Sequence, residues 1–213
     1  MGRVIRGLDA EQRRAERREQ LLDAALDLFA AQGYANTSIE QICTTAYVGT
    51  KSFYEVFESR EDCYVALLKR TSERLEQGMM ELAAANADRS EREVAPRLLA
   101  AFAHALVDDP RLARVTFGQA GGISSTVERQ RRTNRRWAAG FLEQLWDRYD
   151  GPPDEADRRA RRGVAIGLIG GLFDQISDWL LDANLRDENH LEDLIDDMTT
   201  FYITVRRGLV TDR

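Results

Sequence analysis

The chain has 213 residues, with 30 basic and 36 acidic side chains and a formal net charge of −6. Its length allows one or two domains with a sizeable hydrophobic core, and its 4 prolines leave room for long helices. The net acidity argues against a protein that binds nucleic acid over its whole surface, so any contact with DNA has to be confined to one part of the molecule.

The N-terminal eighteen residues are the basic part of the chain. Six arginines stand against three acidic residues, a local charge of +3, whereas residues 182–198 hold seven acidic residues and one arginine. Asp9 and Gln12 have the spacing of a capping box and predict a helix, which Gly33 ends in the left-handed conformation. The six are Arg3, Arg6, Arg13, Arg14, Arg17 and Arg18. The last four are predicted to reach DNA phosphates, and the alternative is a solvated helix face.

Two short helices joined by a tight turn are predicted from Thr37 to Phe57. Thr37 or Ser38 is expected to cap the first helix, and Glu40 stands three residues after Thr37, as in a capping box. Apolar side chains then recur at a helical spacing and form one face over two turns. They are Ile39, Ile42, Cys43 and Ala46.

The second of these helices, Thr50–Phe57, follows a break at residues 47–49. It places Phe53 and Phe57 on one side and Thr50, Lys51 and Tyr54 on the other. Two short helices of this kind form the helix-turn-helix arrangement, in which the second helix enters the major groove of DNA.

This segment resembles the DNA-binding part of the tetracycline-repressor (TetR) family of transcriptional regulators. The matching positions are Ile39-x-x-Ile42, Ala46-x-Val48, Ser52-Phe53-Tyr54-x-x-Phe57 and Arg60. Tyr47 departs from the pattern, because it stands where the family usually has glycine, in a turn expected to require a positive φ. Lys51 and Val56 also depart from the pattern and leave the operator sequence unpredicted.

The resemblance implies a set of residues that contact double-stranded DNA. Thr50 and Lys51 are assigned to base edges, Ser52 and Tyr54 to phosphate or base, and Arg60 to phosphate. Lys51 is independently a suitable donor to guanine O6 and N7. The predicted DNA-binding residues are Thr37, Ser38, Thr50, Lys51, Ser52, Tyr54 and Arg60.

The rest of the chain reads as long helices, and no stretch shows the alternation of a strand. Ser59 is expected to cap a helix that runs as far as Ala85, without a flexible linker before it. The predicted domains are therefore residues 1–58, with the helix-turn-helix, and residues 59–213, for effector binding and dimerisation. Further helices are predicted at residues 90–106, 111–120, 125–150, 155–182 and 190–209. The expected fold class is all-α, with about nine helices.

Large aromatic residues are spread over the second predicted domain. Aromatic residues at helical spacing are commonly core residues, but in the TetR family this region encloses a cavity for a small-molecule effector. The residues predicted to line it are Phe102, Phe117, Trp137, Phe141 and Phe173.

Five arginines crowd residues 129–136. Arg129, Arg132 and Arg136 share one helix face, and Arg135 points elsewhere. An arginine that faced inward could hold a carboxylate or phosphate of an anionic effector. The alternative is a solvated face that pairs with Glu128 or another acidic segment.

Glycines recur at every fourth position in the predicted helix 155–182, at Gly163, Gly167 and Gly171. Glycine inside a helix costs about 1 kcal/mol relative to alanine, so the repeat predicts a close approach of another helix. That helix can belong to the same subunit, but the resemblance favours a homodimer with its recognition helices about 34–36 Å apart, matched to a palindromic operator. The predicted interface residues are Gly167, Gly171, Leu194, Met198 and Phe201.

The sequence therefore predicts a ligand-responsive, cytoplasmic transcriptional regulator, most simply a repressor that an effector releases from DNA. The alternatives are an all-α ligand carrier or enzyme with an incidental helix-turn-helix, and a helical protein-binding adaptor. No catalytic residue, metal site, cofactor or membrane segment is predicted, because His104 and His190 lack partners at useful spacing and there is no phosphate-binding loop. Cys43 and Cys63 are expected to be buried rather than joined in a disulfide.

Overall fold

The computed structural model describes residues 9–118, 123–182 and 188–211. Over these ranges the chain forms nine α-helices and no strand, which confirms the predicted all-α class. The helices are α1 (Ala10–Gln32), α2 (Ile39–Thr45), α3 (Thr50–Tyr54), α4 (Arg60–Ala85), α5 (Glu91–Val107), α6 (Pro110–Ala113), α7 (Ser125–Asp150), α8 (Glu155–Asp182) and α9 (Glu188–Thr211). A π-helical turn, Arg114–Gly118, continues α6 where a regular helix to residue 120 was predicted. Residues 1–8 of the predicted basic arm lie outside the described residues.

Most helix starts follow local capping rules. Asp9 caps α1 and forms the predicted capping box with Gln12, and Ser59 caps α4. The capping box of α2 is instead formed by Ser38 and Gln41, because Thr37 is turned into the protein. Gly33 ends α1 with φ 80° and ψ 166°, a positive-φ region that is open essentially to glycine and differs from the predicted left-handed helical one.

Two hydrophobic cores share the long helix α4. The first core contains α1, α2 and α3, and α4 contributes Cys63, Leu67 and Leu68 to it. Farther along, α4 contributes Met79 and Ala83 to the second core, which holds α5, α7, α8 and α9. A domain boundary at residue 58 remains a sequence prediction, and the part of α4 that follows it packs with the helix-turn-helix.

A buried chain of hydrogen bonds and ion pairs closes the far end of the second core. Trp146 Nε1 donates to the Tyr202 hydroxyl at 3.0 Å, and that hydroxyl donates to Glu91. Glu91 also accepts from Arg206 Nε at 2.7 Å and Nη2 at 3.0 Å. Arg206 reaches Asp150 at 2.7 Å, so the network ties the start of α5 to the ends of α7 and α9.

One face of α8 is apolar and uncovered. The stretch from Asp157 to Leu181 is long and apolar enough to cross a membrane by length and composition, yet only 28% of its most apolar part is buried in the protomer. Gly163, Ile166 and Gly167 are exposed along this face, and Ile166 keeps 51% of its surface accessible. Isolated monomers rarely leave such a surface bare, so it is a candidate for contact with another molecule.

Candidate nucleic-acid interface and effector cavity

The second helix of the helix-turn-helix presents its polar side to solvent. Helix α3 is shorter than predicted and ends at Tyr54. Phe53 is completely buried, whereas Thr50 and Lys51 are exposed and Tyr54 keeps 58% of its surface accessible. The side chains predicted to face DNA therefore occupy the free side of α3, which is what a recognition helix requires.

Helix α1 braces the recognition helix through Arg17. Its Nη1 donates to the Ser52 hydroxyl at 3.2 Å and pairs with Glu55 at 3.2 Å. Ser52 is half-buried as a result, and Arg17 is engaged within the protein. Arg14, on the same helix, is exposed, and its contact with phosphate remains a prediction.

Two further residues predicted to contact DNA are engaged inside the protein. Thr37 is fully buried, and its hydroxyl donates to the Gly33 carbonyl oxygen at 2.8 Å, so the prediction for its side chain is corrected. Arg60 lies 4.3 Å from the centre of the Tyr34 ring and donates to the Thr37 carbonyl oxygen. It fastens the start of α4 to the corner between α1 and α2, and its contact with phosphate remains a prediction.

Tyr47, in the turn between α2 and α3, has φ 54°, the one positive value at a non-glycine position in the described ranges. Its side chain is 97% exposed, so no packing inside the protein offsets the unfavourable backbone conformation. The positive φ that the sequence predicted at this turn is present.

Replacement of Tyr47 by glycine is expected to raise the free energy of unfolding by about 0.5–1 kcal/mol. Glycine adopts a positive φ without strain, and the gain exceeds its larger entropy in the unfolded chain. Urea denaturation measures the change, with Tyr47→Ala as the control, because alanine removes the ring and keeps the strained Cβ. Equal stabilities of the two variants would show that the turn stores no strain.

A cavity of about 170 Å³ lies between α4, α5, α7, α8 and the π-helical turn. Phe102, Phe117, Trp137 and Phe173, all predicted from the sequence, line it. The Phe173 ring centre lies 5.5 Å from that of Phe102 and 5.6 Å from that of Phe117. The lining is thus an aromatic wall that faces polar side chains from α4, α7 and α8.

A second, smaller compartment of about 40 Å³ adjoins the first. Phe102, Trp137 and Ala138 line both compartments, and Phe141, the fifth predicted residue, lines only the smaller one. Trp137 and Phe141 stack with their ring centres 5.5 Å apart. The five predicted aromatic residues therefore line two adjoining compartments, and binding of an effector there remains a prediction.

The arginine cluster of α7 is divided between solvent and cavity. Arg129 and Arg132 are exposed, and Arg132 pairs with Glu128 at 3.0 Å, as the solvated alternative predicted. Arg131 and Arg135, one turn apart, line the cavity; Arg131 is half-buried there, whereas Arg135 stays exposed to solvent. The sequence suggested an inward arginine without identifying Arg131, because the rotation of α7 is set by its packing partners.

The cavity is connected to the helix-turn-helix by direct contacts. Leu68 of α4 belongs to the first core and also lines the cavity. In the π-helical turn, Val115 is buried in the first core and its carbonyl oxygen accepts from the Tyr64 hydroxyl at 2.9 Å. The next residue, Thr116, lines the cavity and accepts a hydrogen bond from Arg131.

The predicted dimer residues fall into three groups. Leu194 and Met198 are 4% and 0% exposed in the protomer, so they are corrected to core residues. Phe201 packs on Gly171, where an added Cβ would lie 2.8 Å from its ring atoms, so this pair serves the contact between α8 and α9. Gly167 has open space around it and remains the predicted residue that an approaching helix could meet.

Side chains with reactive chemistry are few in the part of the chain that the structure describes. Burial raises the pKa of the Cys43 thiol and raises that of Cys63 to about 12, so neither favours the thiolate. His104 pairs with Asp108 at 2.9 Å on the surface, and the side chain of His190 lies outside the described residues. No group of three potential metal ligands comes together among the described residues.

Comparisons with known proteins agree with this geometry. Residues 21–67 match the family model of the bacterial regulatory proteins, tetR family. The HTH-type transcriptional activator FasR of Mycolicibacterium smegmatis is 28% identical over 167 residues, which cover 78% of this chain and 74% of FasR.

Solved structures show the same fold. A TetR-family transcriptional regulator from Syntrophomonas wolfei superposes with a TM-score of 0.70 at 19% identity and covers 89% of this chain and 96% of its own. FadR of Thermus thermophilus, a TetR-family repressor in complex with lauroyl-CoA, gives a TM-score of 0.60 at 18% identity and covers 87% and 93%.

The fold and the helix-turn-helix are those of a DNA-binding transcriptional regulator. The match over residues 21–67 places the TetR-family DNA-binding segment in this chain, and its fold is that of the solved TetR-family regulators.

Proposed function

We propose that the protein is a homodimeric cytoplasmic repressor that binds a palindromic operator and leaves it when an effector fills the cavity. The observation that carries this proposal is the position of Leu68, whose side chain lies in the core of the helix-turn-helix and in the cavity wall. A ligand that displaces the wall therefore acts directly on the elements that position α3. To weaken operator binding about 100-fold, it has to favour the released conformation by about 2.7 kcal/mol.

Two of the relatives bear on the sign of regulation and on the effector. FadR, a repressor, binds lauroyl-CoA, and FasR is named an activator. The apolar region around Phe102 and Trp137 suits an acyl chain, so we propose an acyl-type effector. We propose repression as the sign of regulation, as in FadR. A promoter fusion that carries the operator is expected to rise in expression when the gene for this protein is deleted, whereas a fall would assign activation.

The test of DNA binding is selection of genomic fragments with the purified protein. One palindromic site is expected to be enriched, to survive an excess of competitor DNA and to weaken steeply with salt. Release by lauroyl-CoA from that site completes the test. An absence of enriched fragments would contradict the proposal and favour an all-α ligand carrier, enzyme or protein-binding adaptor.

Lys51→Ala is expected to change the ranking of operator sequences, because Lys51 is exposed on α3 and is proposed to donate to base edges. Arg14→Ala, the matched control, is expected to weaken binding to all sequences alike and to reduce the salt dependence by about one phosphate contact. Anisotropy titrations of single-base operator variants at several salt concentrations measure both effects. An unchanged ranking for Lys51→Ala would remove Lys51 from base recognition.

A further inference from the structure

The polar end of the effector cavity carries two cationic side chains from α7. Arg131 is half-buried and donates to the Thr116 carbonyl oxygen. The guanidinium carbon of Arg135 lies 5.3 Å from the centre of the Phe173 ring. Residues one turn apart on a helix project from the same side, so both guanidinium groups border the same space.

The charge of this pair is only partly balanced inside the protein, because Glu128 and Asp174 are nearby but form no ion pair with it. Among the described residues neither guanidinium forms an ion pair, and Asp174 is the one acidic side chain that lines the cavity with them. Burial, together with the nearby Arg135, lowers the pKa of Arg131. A partly buried cation without a counter-ion is unfavourable and favours the binding of an anion. Arg132, on the outer face of the same helix, already has Glu128 as its partner.

Beyond the arginines the cavity becomes apolar. Phe102 and Trp137 separate the arginine-lined compartment from the smaller one, whose other walls include Leu98, Leu142 and Ile169. The two compartments together are too small for a long chain as they stand. Rotation of the two shared aromatic side chains would join them into one channel that is cationic at one end and apolar at the other.

We propose that Arg131 and Arg135 form the head-group subsite for an amphipathic anion, whose single apolar chain passes Phe102 and Trp137 into the smaller compartment. The subsite takes a carboxylate or a phosphate, the two groups that match the donor geometry of a guanidinium. This inference rests on the proposed function, because it assigns the chemistry of the effector to the same cavity.

The subsite also has a direct route to the DNA-binding end. Arg131 holds the carbonyl oxygen of Thr116, and the adjacent Val115 lies in the core of the helix-turn-helix and accepts from Tyr64. An anion competes with Thr116 for the donors of Arg131. Binding of the head group therefore changes the restraint on the π-helical turn at the point where it contacts both cores.

The experiment is ligand binding without DNA, followed by tryptophan fluorescence and thermal unfolding. The probes share one chain length: dodecanoate, dodecyl phosphate and the neutral dodecanol. Wild-type protein is expected to bind at least one anionic probe ten times more tightly than dodecanol, and the tighter anion identifies a carboxylate or a phosphate as the head group. Arg131→Gln is expected to weaken the preferred anion at least tenfold and dodecanol less than twofold, because a charge-assisted hydrogen bond is lost. Arg131→Lys is expected to retain part of the affinity.

Arg132→Gln is the matched control on the same helix and is expected to bind all three probes as the wild type does. If Arg131→Gln unfolds, Arg135→Gln replaces it in the comparison. The inference is overturned if no anion is preferred over dodecanol, if no probe binds, or if the Arg131 and Arg132 variants bind the anions equally. The binding experiment contains no DNA, so its outcome does not depend on the proposed repressor. If the protein prefers the anion but the selection of genomic fragments finds no operator, the proposed repressor is contradicted and the subsite remains.

Discussion

Gly167→Glu is expected to convert the protein to a monomer and to weaken binding to a palindromic operator by about 10²–10⁴-fold. The space around the Gly167 Cα is open in the protomer, so the new side chain fits without a clash. It places a charge in the middle of the uncovered apolar face of α8, where a second copy would have to bury it. Two half-sites bound by unlinked monomers then lose the gain from simultaneous binding. Sedimentation and operator titration measure the two effects.

The matched control is Gly78→Glu on α4. Gly78 is also an exposed glycine inside a long helix, with nothing within 4 Å of an added Cβ. Both substitutions remove a helix-weakening glycine and add the same charge, so they change helix propensity and long-range repulsion of DNA alike. Only the α8 variant is expected to lose dimers. If both variants sediment as dimers, the glycine face of α8 is not the interface.

Glu91→Ala is expected to reduce the free energy of unfolding by about 3 kcal/mol. Glu91 accepts two hydrogen bonds from Arg206, whose side chain is 9% exposed, and one from Tyr202. Without the carboxylate, the Tyr202 hydroxyl loses its acceptor and Arg206 has to share Asp150 with Arg161. Breaking one partner of a buried ion pair leaves a buried charge poorly compensated, which is strongly destabilising. Urea denaturation measures the loss.

Glu128→Ala controls for the removal of a first-turn glutamate. Both residues lie in the first turn of a long helix, and both pair with an arginine. The Glu128–Arg132 pair is exposed, with 48% and 68% of the side chains accessible, and such pairs contribute at most about 1 kcal/mol. Denaturation midpoints that fell equally for the two variants would show that the network around Glu91 is no stronger than a surface pair.

Features of this fold that depend on neighbouring residues were predictable from the sequence. The capping residues Asp9 and Ser59 act within one helical turn, so helix starts follow from local rules. The positive φ of Tyr47 followed from the resemblance to the TetR family, in which glycine usually stands at this turn.

Features that depend on helix rotation and long-range packing were not predictable. A hydroxyl residue before a helix looks the same in the sequence in two different situations. Its side chain can cap the helix, as that of Ser38 does, or be buried, as that of Thr37 is. The apolar stripe of α9 could not distinguish contacts within a subunit from contacts between subunits, so Met198 was assigned to the wrong surface. The Glu91–Arg206 pair joins residues far apart in the chain, where periodicity carries no information.

The sharing of α4 between two cores has a consequence for how the molecule comes apart. One continuous helix carries Leu67 into one core and Met79 into the other, so neither core can lose its part of α4 without disturbing the other. Amide hydrogens in the helix-turn-helix and in the centre of α4 should therefore exchange in one cooperative unit. A fragment cut at residue 58 would lack the side chains of α4 that complete its core. The smallest fragment expected to fold and bind DNA by itself therefore includes the start of α4.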